Sequence, residues 1–155
     1  FEYQKTIWEE KWMGKSAVNG RFVHRITNEQ ERARLILQYV AMPHTSRHHW
    51  GTDIDLVSAD VKFYETEEGV KVYDWLKKHA SHFGFCQPYT LPNEIIFEGF
   101  NEEKWHWSYI PLAHLYLKNY KTQVTYDDFN DFLGAQYAKP HNIIKRATQI
   151  DSVCF

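Results

Sequence analysis

The chain has 155 residues and a mass of 18.6 kDa, the size of one domain able to build a core without staples. A net charge of −2 and a pI near 6.5 exclude a strongly basic nucleic-acid binder, and 43% apolar with 25% charged residues excludes a disordered chain. Two cysteines exclude a Cys₄ zinc site and a disulfide-rich scaffold; beside nine histidines, they leave imidazole and carboxylate as the groups for a transition metal.

The opening residues Phe1-Glu2-Tyr3-Gln4-Lys5 lack the basic and then apolar pattern of a signal peptide, and no Met precedes them, which points to a mature or trimmed form. No stretch approaches the roughly 20 apolar residues of a membrane span. The segment to about Gly20 carries Trp8 and Trp12 among charges and reads as a short wrapping segment. Thr27 with Gln30 forms a capping-box pattern that opens a helix through about Val40, with Ala33, Ile36, Leu37 and Val40 as its apolar face. Pro43 breaks it. Ile54, Leu56 and Val57 predict a strand to about Phe63. Glu67 to Phe83 reads as a helix, with Val72, Tyr73, Leu76, Ala80 and Phe83 at helical spacing and Gly84 as its stop.

Glu94 to Glu98 and Trp105 to Tyr109 are β-rich and separated by a polar turn, which predicts two strands. Pro111 to Tyr120, Tyr126 to Ala138 and Ile143 to about Ile150 complete the chain as helices. Helices and strands mix without regular βαβ alternation, so the fold class is α+β with a central antiparallel sheet flanked by helices. No repeat or Gly/Ser linker divides the sequence, and residues 1–155 read as a single domain. Cys86 and Cys154 pair in an oxidising compartment or remain thiols; sequence gives no distance to decide it.

Ser46-Arg47-His48-His49-Trp50-Gly51-Thr52-Asp53-Ile54-Asp55 packs two histidines and two aspartates into one loop and strand. His48 and Asp55, with Gly51 between them to turn the backbone, can converge on one ion, and imidazole with carboxylate suits Zn²⁺. His106 supplies a third ligand and leaves a fourth position open, with Glu103 as general base. On a regular strand Glu103 and His106 point to opposite sides, so the scheme requires a bend near Lys104. The same spacing also fits a solvated surface loop, with Trp105 and Trp107 as plain core.

Ser46-x-His48-x-x-Gly51-x-x-x-Asp55 followed by Glu103-x-Trp105-His106-x-x-Tyr109 resembles the signature of VanY-type D-alanyl-D-alanine carboxypeptidases. Arg25 with Gln30, Ala41-x-Pro43 and the helix from Trp75 to Phe85 match further family segments, so the likeness runs in order over about residues 20 to 112. The helical tail from about residue 120 has no counterpart. The resemblance implies the fold shared with the VanX-type dipeptidases and the hedgehog signalling domain. It implies Zn²⁺ held by His48, Asp55 and His106, and Glu103 as the base that activates the metal's water. It further implies that Arg25 binds the substrate carboxylate or carbonyl, with Arg21 a weaker candidate, and that Ser46 lines the substrate side of the loop. The implied substrate is a peptidoglycan stem peptide or muropeptide, with no nucleic acid and no membrane span in this chain. The implied location is the periplasm or cell envelope of a bacterium. An L,D-carboxypeptidase, a stem-peptide endopeptidase and a non-catalytic cell-wall-binding domain are the alternatives on the same scaffold. Two departures touch the centre itself: Asp53 stands where the family usually has alanine, either supporting a ligand from behind or competing as a ligand itself, and Lys104 replaces the usual proline before Trp105.

Overall fold

The computed structural model describes residues 1–90 and 101–155. The predicted strand Glu94 to Glu98 lies outside the described residues. The rest is α+β, five α-helices and a small antiparallel sheet with short 3₁₀ turns between them. The residues group into two compact units, 1–49 with 123–147 and 50–122 with 148–155. The division at 49/50 falls inside one 3₁₀ turn, Arg47–Trp50.

The first unit is helical. Helix α1 (Glu2–Met13) turns Trp8 and Trp12, four residues apart, to one buried face. Its stop is Gly14, left-handed at φ 75°, whose N–H returns to the last-turn carbonyls. The segment read as a wrapping piece is therefore a helix; two large rings suffice as its apolar stripe, where a sequence pattern looks for four or five smaller residues. Helix α2 (Glu29–Leu37) is capped by Asn28, whose side chain accepts from the Glu31 N–H at 3.1 Å, one residue later than the Thr27 cap expected. Ala33, Ile36 and Leu37 pack with Trp8, Trp12, Phe129, Phe132 and Ile143 as one core. Burying an aliphatic side chain such as Ile36 there stabilises by about 1.5–3 kcal/mol. Trp8 is fully buried and its indole N–H donates to the Leu133 carbonyl at 2.7 Å. The predicted helix Tyr126 to Ala138 is instead two 3₁₀ turns, Tyr126–Asp128 and Ala135–Tyr137. Gly134 stands between them at φ 83°, where a Cβ would come within 2.5 Å of the Trp12 ring. Helix α5 is Ile143–Thr148.

The second unit carries the sheet, β1 (Asp53–Asp55), β2 (Phe85–Cys86) and β3 (His106–Tyr109), in the order β1-β3-β2 with both pairings antiparallel. β1 stops earlier than predicted because Leu56-Val57-Ser58 forms a tight turn. Val57 sits at φ 66° there, and the Ser58 N–H donates to the Leu56 carbonyl at 2.8 Å. Helix α3 (Glu67–His79) is capped by Thr66 and continued by a 3₁₀ turn to Phe83, with Gly84 as the left-handed stop. Leu76 and Ala80 pack on Trp107 of β3, so α3 covers one face of the sheet. Side chains alternate along a strand, and His106 and Ser108 therefore stand on the opposite face. Helix α4 (Ile110–Gln123) follows β3 directly and contributes Leu117 to a second cluster with Tyr89, Ile150 and a disulfide between Cys86 and Cys154.

Candidate metal centre

The pairing register builds the centre. Leu56 donates to the Trp105 carbonyl at 2.9 Å and Tyr109 to the Thr52 carbonyl at 2.8 Å. Hydrogen-bonded pairs alternate in an antiparallel ladder, so Asp55 with His106 and Asp53 with Ser108 are the non-hydrogen-bonded pairs, where facing side chains approach most closely. Asp53, Asp55, His106 and Ser108 thus share the sheet face away from α3.

Around His106 three carboxylates converge. Nε2 lies 2.9 Å from Asp53 Oδ1, and Nδ1 lies 2.9 Å from Glu103 Oε2 and 3.9 Å from Asp55 Oδ1. The Tyr89 ring stands edge-on to the imidazole with centroids 5.0 Å apart. The His106 and Asp53 side chains are 4% and 0% exposed, against 26% for Glu103 and 41% for Asp55. The centre is closed beneath and open on the Glu103 and Asp55 side.

Glu103 reaches the ring because the chain bends before β3, as the scheme requires. The His106 N–H donates to the Glu103 carbonyl at 3.2 Å, so the two residues close a turn and are not part of one straight strand. With Lys104 where a proline was expected, other contacts hold that turn. The Glu103 N–H donates to the Tyr89 carbonyl at 3.0 Å, and the Gln87 amide donates to the Glu103 carbonyl at 3.2 Å. The Trp107 indole holds the Lys104 carbonyl at 3.1 Å, while the Lys104 ammonium lies 5.2 Å over the Tyr73 ring. Burial and the neighbouring Glu102 carboxylate push the Tyr73 phenol up to about 12, so it stays protonated and donates to Gln87. Sequence reading missed Gln87 and took Tyr73 only as part of the apolar face of its helix.

Burial alone pushes an imidazole pKa down, but hydrogen bonds and charge from Asp53 and Glu103 override it and raise His106 to about 9. The folded protein therefore holds this proton more tightly than the unfolded chain. In chelator-treated protein the resulting stability, about 3 kcal/mol, is fully present below about pH 6.5 and is lost as pH rises through about 9. Urea unfolding between about pH 6 and pH 9.5 checks this. A stability that does not change across the window would show that the site does not hold an imidazolium.

Among the described residues, one group of possible ligands gathers closely enough for an ion: His48, Asp55 and His106, each offering an atom within 4.8 Å of the others. These are the three ligands expected from the sequence. His48 is exposed in the turn Arg47–Trp50, which runs directly into β1. Two imidazoles and a carboxylate are a donor set suited to Zn²⁺ with a free position, and the surplus of carboxylates at His106 calls for positive charge. The residues fit a divalent ion.

Arg25 is exposed ahead of α2, and Ser46 is half-buried with its carbonyl accepting from the His49 N–H at 3.2 Å. Arg21, the weaker candidate, is exposed and bridges Val18. His44 faces Asp131 at 3.2 Å, and His114 is exposed with Nδ1 on its own helix carbonyl at Ile110.

The family model described as VanY, D-alanyl-D-alanine carboxypeptidase, matches residues 1–112. An uncharacterised protein of Haemophilus influenzae is 29% identical over 97 residues, covering 55% of this chain and 72% of that protein. A protein of Enterococcus faecalis named D-alanyl-D-alanine carboxypeptidase is 32% identical over 72 residues, 46% of this chain but only 25% of its own length. No solved structure matches the chain.

Proposed function

Since the chain belongs to the VanY family of D-alanyl-D-alanine carboxypeptidases, we propose that it is a zinc-dependent peptidase removing the terminal D-alanine from peptidoglycan stem peptides. The observation that carries this reading is the convergence of His48, Asp55 and His106, with the Glu103 carboxylate 2.9 Å from the His106 ring. In this reading residues 1–155 act as one peptidase domain of the hedgehog-like fold.

His48, Asp55 and His106 would hold the ion, which when bound polarises the scissile carbonyl and acidifies water. Glu103 takes a proton from the attacking water as oxygen joins the carbonyl carbon. It returns that proton to the amine as the C–N bond breaks, releasing D-alanine and the shortened peptide. The partial exposure of Glu103 leaves water a path to it, and its pinned backbone keeps the carboxylate in place. Arg25 would pair with the substrate's terminal carboxylate, for which a guanidinium offers two parallel charge-assisted hydrogen bonds. Ser46 would line the loop on the substrate side. The substrate lies outside the cytoplasmic membrane, and the Cys86–Cys154 disulfide supports the same oxidising location, periplasm or cell envelope. No helix among the described residues is long and apolar enough to cross a membrane.

Incubation with defined muropeptides, read by mass, tests the substrate. Release of D-alanine from the pentapeptide is the expected result. D-alanine from the tetrapeptide instead would make the chain an L,D-carboxypeptidase, and a larger fragment an endopeptidase. Zinc bound with nothing released would make it a cell-wall-binding domain.

A further inference from the structure

Asp53 is the one charged group at this centre to which the proposed reaction assigns no part, yet it is the most deeply buried of the carboxylates, with a side chain at 0% exposure. Both its oxygens are engaged. Oδ2 accepts from the Thr52 hydroxyl at 2.7 Å and from the Ser108 hydroxyl at 3.1 Å, which leaves Oδ1 aimed at His106 Nε2 at 2.9 Å. The register fixes this arrangement: Asp53 lies opposite Ser108, two residues along β1 from Asp55, and so diagonal to His106 on the same face.

We propose that Asp53 is a positioning residue: it holds the His106 proton on Nε2, which leaves Nδ1, the edge nearest Asp55, free to bind the ion. The proposal rests on the metal reading above. Without an ion a carboxylate faces each ring nitrogen at 2.9 Å, Asp53 at Nε2 and Glu103 at Nδ1. Once an ion takes Nδ1, the neutral imidazole has one proton left, and the Asp53 carboxylate accepts its hydrogen bond from Nε2. The Nδ1 edge is the one that Asp55 approaches at 3.9 Å. Asp53 is thereby excluded as a rival ligand, because it occupies the far nitrogen. A ligating histidine that donates its other N–H to a carboxylate is both oriented and made more basic. The two hydroxyls keep that carboxylate from swinging away.

The test uses the whole chain. In ¹⁵N-histidine-labelled wild type loaded with ¹¹³Cd²⁺, we expect cadmium coupling at His106 Nδ1 and a retained proton on Nε2; coupling at Nε2 overturns the proposal. Asp53→Asn keeps the shape and loses the charge. Its zinc affinity by chelator competition should fall by about 10- to 100-fold, with an unchanged circular dichroism spectrum. Wild-type affinity in that variant also overturns it, and should the variant not fold, the cadmium measurement decides alone. Wild type that binds neither ion refutes the metal reading itself, and the positioning role with it.

Discussion

Glu103→Gln is expected to slow D-alanine release about a thousandfold, within the range general acid–base catalysis contributes, while about one zinc stays bound per chain. The amide has nearly the size and shape of the carboxylate but cannot take a proton from water and return it to the leaving amine. The change is confined to the side chain because the backbone of residue 103 is held from three sides, by the Tyr89 carbonyl, the Gln87 amide and the His106 N–H. His48, Asp55 and His106 are untouched, so metal content measured on the purified variant separates a lost base from a lost ligand. Undiminished kcat/KM would remove Glu103 from the mechanism. Zinc lost together with activity would make it a ligand.

The centre was legible in the sequence to the extent that its parts are local. His48 and Asp55 lie on one turn and strand, and Glu103 and His106 on the next bend and strand, so spacing offered all four as candidates and the family resemblance set them apart from a surface loop. The contacts that support them were not legible, because they cross between elements. Gln87 reaches the Glu103 carbonyl from beside β2, and Ser108 reaches Asp53 only through the register of β1 on β3. Asp53 itself stood out as an extra acidic group, but which ring nitrogen it meets is a matter of strand pairing that spacing does not encode.

The fold divides in the same way. Helix α3 with its 3₁₀ extension was readable as Glu67 to Phe83 because periodicity and the Gly84 stop signal agree, and the structure adds the Thr66 cap. Tyr126 to Ala138 reads in the sequence as one helix. Gly134 and the close approach of Trp12, 122 positions away in the chain, impose two turns instead. The overextended strand after Ile54 failed at Val57, a β-branched residue in a left-handed turn that no propensity predicts.

Removing the disulfide is expected to cost about 4 kcal/mol, the loop-closure entropy released to an unfolded chain by a loop of this length. Cys86 and Cys154 are 68 positions apart, and both are buried beside Tyr89, Leu117 and Ile150. The closed loop contains Glu103, His106 and all of β3 and α4, so the bridge constrains the half of the centre that the first turn does not supply. Its folded ends are also tied by the Asp151 N–H on the Pro88 carbonyl at 2.9 Å and the Thr90 hydroxyl on the Asp151 carboxylate. Those bonds should keep the native geometry when the sulfurs are gone. The penalty therefore falls on the unfolded side of the equilibrium. In urea, a Cys86→Ala, Cys154→Ala variant should lose about 4 kcal/mol and still bind zinc. A loss below about 1 kcal/mol would mean that the unfolded chain already keeps these ends together. Zinc lost from a still-folded variant would mean that the bridge shapes the centre directly. With the bridge supplying that much of the stability, the chain would keep its fold best where thiols are oxidised, which is where a stem-peptide carboxypeptidase meets its substrate.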